Sequence, residues 1–569
     1  MTVDKRILAR RIDQALGREP ADLVVKGGRF LNVATGEIAQ GDIAVCGDTI
    51  VGTYEAYEGR TTIDARGLVA VPGFVDAHVH VESSLITPTE FDRCVLPRGT
   101  TTAICDPHEI ANVLGLPGLR WFLESARHLA MDLRVQLSSC VPATALETGG
   151  ATLCASDLLS LAGHPSAGGL AEMMNFPGLL RHDDDVLEKL VAFQDRTLDG
   201  HCPLVRGREL NAYAACGIRN CHESVHLDEA REKLRKGMQV LLRDGSVSKD
   251  VARLASLLTD ATSPFVGLCT DDRNPLDIDE EGHMDHLVRT VIAAGAPVAA
   301  AYRAASWSAA RGFRLDDRGL LAPGQRADIV LVSDLRTCAV EKVVARGRPV
   351  DDALFSGIEA LPAPGRASIH LDPVTASVFR IPARSGASPV IGVVPGSIVT
   401  DALREEIPSV GGERRAEPAR GLHKLAVLAR HGVNRNVARA FVRGFGFPAG
   451  ALASSVGHDS HNVIVVGADD ADMAAAVNHL IRLEGGFVAV VNGRVVGELA
   501  LPIAGLLSDR PFADVRDALR ALRAAVREMG CPLAEPVLQL AFLPLPVIPH
   551  LKLTDRGLVD VDRFELVPA

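Results

Sequence analysis

No stretch of about twenty apolar residues runs through this sequence, so no segment reads as a membrane-spanning helix. The most apolar part of the tail, residues 537–553, is broken by Pro544, Pro546 and Pro549. The opening residues MTVDKRILARRIDQALGREP mix acids and bases and contain no apolar h-region, so they do not read as a signal peptide. Basic blocks are missing as well. The formal net charge is −11, from 60 Lys and Arg against 71 Asp and Glu. That removes electrostatic support for nucleic-acid binding and for long-range capture of an anionic substrate, while a neutral small molecule is unaffected. The eleven cysteines form no CxxC pair and no zinc-finger spacing, and a reduced, cytoplasmic protein is the economical reading. Internal repeats and low-complexity tracts are also lacking.

What is present is an ordinarily globular composition, 47% hydrophobic and 23% charged, over 569 residues. That length exceeds one core and calls for several domains. Residues 1–20 read as a charged, amphipathic leading helix. From Ala21 the chain changes to short alternating runs punctuated by Gly-Gly, Gly-Asp and Arg-Gly turns, the pattern of a small β-sandwich. Matching runs return at Ala327–Val332 and Cys338–Gly347. The expectation is that residues 21–70 and 321–375 pair into one composite sandwich, with residues 71–320 inserted between them.

The insertion carries eight strand-like runs, ending near His80, Cys105, Val141, Met174, His201, His222, Arg243 and Thr270. Helical stretches at residues 117–131 and 183–194 lie among them. Eight strand–helix units over about 250 residues have the size and rhythm of a TIM barrel. The expected fold class is therefore α/β: a TIM-like (β/α)8 barrel inserted in a small β-sandwich, followed by a C-terminal α/β domain over residues 385–569. Looser chain is expected at residues 361–366 and 413–420.

A barrel of this kind keeps its chemistry just after the strand ends, and those positions are polar here. The first strand runs into His78-Val79-His80, whose imidazoles project from one face because strand side chains alternate with period two. Glu172 follows in the fourth strand, His201 after the fifth, His222 after the sixth and Asp271 after the eighth. Singly, each has a plainer explanation: a core histidine, a helix cap, a salt-bridged pair. Together they make an N/O ligand set without sulfur, suited to zinc, manganese or iron. Two metals about 3.5–4 Å apart could share Glu172 and a water, one ion on His78, His80 and Asp271 and the other on His201 and His222. The ions would lower the pKa of that water, and Asp271 would accept its proton and pass it to a leaving group.

Several motifs make the resemblance specific. The run from Pro72 to His80, PGFVDAHVH, is similar to the first-strand signature of the amidohydrolase superfamily. HVHVESSLITP at 78–88, DPHEIANVLG at 106–115, GLAEMMNFPG at 169–178, DGHCP at 199–203, CHES at 221–224, TDDR at 270–273 and GHMDHLVR at 282–289 resemble the adenine deaminase family within it. So does GALASSVGHDSHNVIVVG at 450–467, and the match spans nearly the whole chain. Glu172 stands where many amidohydrolases carry a carboxylated lysine, which separates this chain from hydantoinase and dihydroorotase relatives. The runs Ser306–Arg311 and His431–Asn436 depart from the family pattern without touching a candidate ligand.

The resemblance implies hydrolysis of adenine to hypoxanthine and ammonia at a centre of two divalent metal ions, manganese first, with iron or zinc as alternatives. Attack at C6 requires a proton at ring N1. Glu82, two residues beyond the histidine pair, is the first candidate donor, and Glu223 the second. Asp106, His108, Asn175, Arg243 and Ser246 are weaker candidates for contacting the base. The run His458-Asp459-Ser460-His461 reads either as a lid or third-metal element over the barrel mouth or as an interdomain hydrogen-bond cluster. The expected assembly is a homo-oligomer, a dimer favoured, in the cytoplasm, with adenine as substrate and neither nucleic acid nor membrane as partner. The rival readings are an amidohydrolase acting on another ring and a non-catalytic scaffold of the same fold.

Overall fold

The computed structural model describes residues 4–568. A helix over Lys5–Ala15 opens the chain, its first turn capped by the Asp4 carboxylate on the Arg6 and Ile7 amides. Seven short strands follow: β1 (Ala21–Lys26), β2 (Arg29–Leu31), β3 (Ile38–Gln40), β4 (Ile43–Cys46), β5 (Thr49–Thr53), β6 (Gly59–Asp64) and β7 (Val69–Pro72). They divide between two sheets. One has the order β5-β4-β1-β6. The second places β7 beside β2 on one side and, antiparallel on the other, the distant strand Ile329–Val332, with Ile329 opposite Pro72 and Val332 opposite Val69. The next strand, Val340–Ala345, extends that sheet. Inner-face residues Leu23, Phe30, Ile43, Ile50, Ile329 and Val344 pack into one core between the sheets, as sandwich faces must when each strand buries alternate side chains.

Between β7 and Ile329–Val332 lie eight parallel strands in sequence order: β8 (Phe74–Val79), β9 (Thr100–Cys105), β10 (Asp132–Leu137), β11 (Ala167–Met173), β12 (Leu198–Gly200), β13 (Asn220–Cys221), β14 (Gln239–Arg243) and β15 (Val266–Cys269). The first five form a curled sheet, the last three a second sheet, and a parallel bridge between Val79 and Asp271 joins β15 to β8. This is a TIM-like barrel. Its strands are buried on both faces, as parallel strands covered by helices are. The third strand stops at Leu137 rather than near Val141, and the chain from Ser138 to Cys154 is irregular. The helix expected over 117–131 ends at Ala126. A turn then carries the chain into β10.

The C-terminal part is built on an eight-stranded mixed sheet in which Leu422–Leu428 lies between Val437–Arg443 and Val463–Gly467. Helix Asp470–Arg482 packs on Gly486–Val491 and Ala451–Ser454, and helix Phe512–Glu528 packs on Arg494–Ala500 and on the barrel helix Pro275–Glu280. Residues 413–414, expected to be loose, pair with Ile381–Pro382. No helix among the described residues is long and apolar enough to cross a membrane.

Candidate metal centre and cavity

The strand ends bring the six candidate ligands to one place, all buried. His78 Nε2 and His80 Nε2 lie 3.0 Å apart. Glu172 Oε1 is 3.5 Å from the first and 3.3 Å from the second, and Asp271 Oδ1 is 3.6 and 3.2 Å from the same two atoms. Metal–ligand bonds of about 2.0–2.2 Å place neighbouring donors about 3.0–3.5 Å apart, so this quartet has the spacing of a coordination shell. The other carboxylate oxygen, Glu172 Oε2, lies 2.6 Å from His201 Nδ1 and 3.2 Å from His222 Nε2. One glutamate thus faces two imidazole pairs with its two oxygens.

Local structure fixes each donor. His80 Nδ1–H donates to the Asp106 carbonyl at 2.9 Å, which leaves Nε2 as the free lone pair. Asp76, on β8, accepts from the Thr270 amide at 3.0 Å and from its hydroxyl at 2.5 Å. The next residue, Asp271, adopts φ +57°, a left-handed conformation uncommon outside glycine that turns its carboxylate into the mouth. Asp199 accepts from Gln136 at 2.7 Å and Asn220 at 2.8 Å, tying together the strands that present His201 and His222. Arg243 Nη1 contacts Glu223 Oε1 and donates to Asp271 Oδ2 at 3.0 Å, and its second nitrogen reaches Asp250 at 3.3 Å.

The carboxylates are kept ionised by the imidazoles and the guanidinium around them. Burial raises Glu172, but His78, His222 and His201 around it more than offset this and hold the carboxylate well below its usual range. Asp271 is held low in the same way, by the His80 hydrogen bond and the Arg243 guanidinium against burial. Burial and the adjacent His78 push His222 down to about 4. Against burial and neighbouring His108, hydrogen bonds to Asp271 and Glu172 lift His80 above the usual imidazole range. Carboxylates kept ionised in a dry pocket, with imidazole nitrogens aimed at the same points and no sulfur among them, are a donor set that fits hard or borderline divalent ions.

Five of the six candidate ligands, His80, Glu172, His201, His222 and Asp271, line one cavity together with His108, Glu223, Arg243, Asp272 and Ser248. Its roof is apolar and comes from elsewhere: Ile398, Phe542, Leu545 and Ile548, with Met174 from the barrel. His458 and Asp459 also line it, with Asp459 Oδ1 3.5 Å from His108 Nε2. The roof residues escaped sequence reasoning, although the proline-broken apolar run at 537–553 was its one visible signal.

Four candidates are placed differently from expectation. Glu82 does not line the cavity. Its Oε1 accepts from the Ile110 amide at 3.2 Å, and burial beside Glu109 raises its carboxyl to about 8. Asn175 caps the helix Phe176–Leu180, accepting from the Gly178 amide at 2.9 Å. The Ser246 hydroxyl accepts from the Asn274 amide at 2.9 Å. Asp106 accepts from the Ser138 hydroxyl at 2.7 Å and sits 3.1 Å from His108 Nδ1, so it orients that ring from behind. In each case a local backbone or side-chain donor has claimed the group. Arg243 lines the cavity, but both of its Nη atoms are occupied by carboxylates.

A TIM-like barrel with His-x-His after its first strand, a glutamate from the fourth, histidines after the fifth and sixth and an aspartate after the eighth defines a class. The amidohydrolase family profile matches residues 69–350, and that family implies a divalent metal. A second profile, the adenine deaminase C-terminal domain, matches residues 397–565. The chain is 61% identical to the adenine deaminase of Methylobacterium nodulans over 98% of its length and 99% of the relative's. It is 58% identical to that of Cereibacter sphaeroides (99% and 100%) and 57% to adenine deaminase 1 of Rhizobium meliloti (98% and 99%). The chain belongs to the adenine deaminase family.

Proposed function

We propose that this chain hydrolyses adenine to hypoxanthine and ammonia in purine salvage. The observation that carries the reading is Glu172, whose two oxygens face separate imidazole pairs within 3.5 Å. His78, His80 and Asp271 would hold one divalent ion and His201 and His222 a second, with Glu172 shared. Manganese fits this N/O set, as do iron and zinc. When bound, the ions acidify a water and so supply the nucleophile for C6 at neutral pH.

The rest falls to the chain's own groups. Asp271 turns Oδ1 toward the donor cluster while Arg243 holds Oδ2 at 3.0 Å, so Asp271 takes the water's proton and returns it to the departing amine. Glu223 stands on the cavity wall, its Oε1 4.0 Å from His201 Nδ1 and 3.9 Å from His222 Nε2, and delivers the proton to N1. Arg243 positions both carboxylates. The apolar roof excludes bulk water, which strengthens each of these interactions. The same reading divides the chain into a leading helix (1–20), composite sandwich (21–70 and 321–375), barrel (71–320) and C-terminal domain (385–569). It places the protein in the cytoplasm as a homo-oligomer, a dimer favoured, with neither nucleic acid nor membrane as partner.

The test is ammonia release from adenine. The native protein is expected to be active, His78→Ala to lose activity along with bound metal, and Glu223→Gln to lose about 10²- to 10⁴-fold in kcat with metal retained. Glu82→Gln is expected to cost less than Glu223→Gln. Full activity in His78→Ala, or turnover of hydantoin or dihydroorotate in place of adenine, would refute the proposal.

A further inference from the structure

The metal donors do not use all of the polar atoms on the cavity wall. Asp459 Oδ2, His108 Nε2 and His458 Nε2 are buried and have no hydrogen-bond partner within the protein, and all three residues line the same cavity. Asp459 Oδ1 lies 3.5 Å from His108 Nε2 and 3.5 Å from His458 Nδ1. His108 in turn places Nδ1 3.4 Å from Glu172 Oε1. The aspartate therefore stands one imidazole ring away from the bridging carboxylate, at the side of the cavity.

This end of the site is built rigidly. The His458 ring stacks on Phe542 at 4.5 Å with an interplanar angle of 6°. The His458 amide donates to the Ala541 carbonyl at 2.9 Å, and the His461 amide to the Gly457 carbonyl at 2.7 Å. Ile398, Leu545 and Ile548 complete the wall, and none of them offers a side-chain partner to sugar hydroxyls.

A buried carboxylate oxygen without a partner is costly, and an ionised carboxylate only accepts. Deamination fixes the six-membered ring of the base, with C6 at the Glu172 end. The flat bicycle then extends its five-membered ring away from that end. The free base carries one ring N–H there, the nitrogen that bears the sugar in a nucleoside. Resting on the adenine-hydrolysing reading above, we propose that Asp459, supplied by the C-terminal domain, accepts the five-membered-ring N–H of the purine, so that the site takes free bases and rejects nucleosides.

Two inert ligands test this: purine, which has the N–H, and 9-methylpurine, which lacks it. They are compared as competitive inhibitors in the native protein, Asp459→Ala and Asp459→Asn, with metal content measured in each. The native protein is expected to prefer purine by about 10- to 100-fold, the range of a hydrogen bond to a charged acceptor. In Asp459→Ala the preference falls toward one, kcat/KM for adenine falls with it, and bound metal is unchanged. Asp459→Asn, which preserves shape, keeps an intermediate preference and carries the test if the alanine variant does not fold. An undiminished preference in the variants would overturn the proposal, because the methyl group would then be excluded by the roof alone. Loss of a metal ion would overturn it too, since His108, His458 and Asp459 lie close enough to hold one. Failure of the native protein to deaminate adenine would instead strike the earlier reading, and the inhibition ratio would still report on Asp459.

Discussion

Glu147 shows how far burial beside a like charge moves a side chain in this protein. It lies 2% exposed in the loop after β10, and burial, reinforced by the nearby negative charge of Asp459, raises its carboxyl to about 8. In the unfolded chain the group ionises near about 4.3. Between those values the folded protein holds a proton that the unfolded chain has shed, so this residue makes stability fall as pH rises from about 4.3 toward about 8. Glu147→Gln lacks the titration. Thermal unfolding of the two proteins from pH 5 to 8.5 is expected to show the variant gaining relative to the native chain with rising pH, then levelling above about 8; a gap independent of pH would contradict the assignment. The same scale explains what sequence reasoning reached. The convergence of the six candidate ligands was legible because a barrel forces strand-end residues into one mouth. The roles of Glu82, Asn175 and Ser246 were not, because each was decided by a nearby backbone amide, Ile110, Gly178 and Asn274 respectively, that no spacing rule identifies.

Among the elements, the junction of barrel and sandwich rests on Asp132, the first residue of β10. Arg326 Nη1 lies 2.6 Å from its Oδ2, Arg318 contacts the same oxygen, and Arg346 reaches Oδ1 at 3.5 Å. Burial raises Asp132, but Arg318 and Arg326 outweigh it and keep the carboxylate well below its usual range. Its stabilising contribution is therefore present above the unfolded value of about 3.9 and is lost only as pH falls through the lowered folded value. Asp132→Asn leaves four guanidinium groups crowded together, Arg134 at 3.1 Å from Oδ2 being the fourth, and breaking a buried pair of this kind costs about 3–5 kcal/mol. Denaturant unfolding at pH 7 measures that cost, and a loss below about 1 kcal/mol would show that solvent already screens the cluster. Strand rhythm predicted β8 to β15 in order. Their lengths were less legible: β13 contains two residues and β10 stops at Leu137, since ladder pairing and not local apolar content sets where a strand ends.

At the scale of the whole molecule, the barrel supplies the six candidate ligands and the C-terminal domain adds Ile398, Phe542, Leu545 and Ile548 to the wall of the cavity beside them. Residues as distant in sequence as His80 and Ile548 share one wall. The pairing of β7 with Ile329–Val332 was foreseeable from matching alternating runs. The roof was not, because an apolar stretch interrupted by Pro544, Pro546 and Pro549 reads as loop until its partner surface is known. The central claim is that Glu172 bridges two cations at the barrel mouth. It is tested most directly by a crystal structure of the manganese-loaded protein with anomalous scattering at the metal edge. Two peaks about 3.5–4 Å apart, one beside His78, His80 and Asp271 and the other beside His201 and His222, with a Glu172 oxygen on each, are the expected result. A single peak, or a second ion held without Glu172, would contradict it.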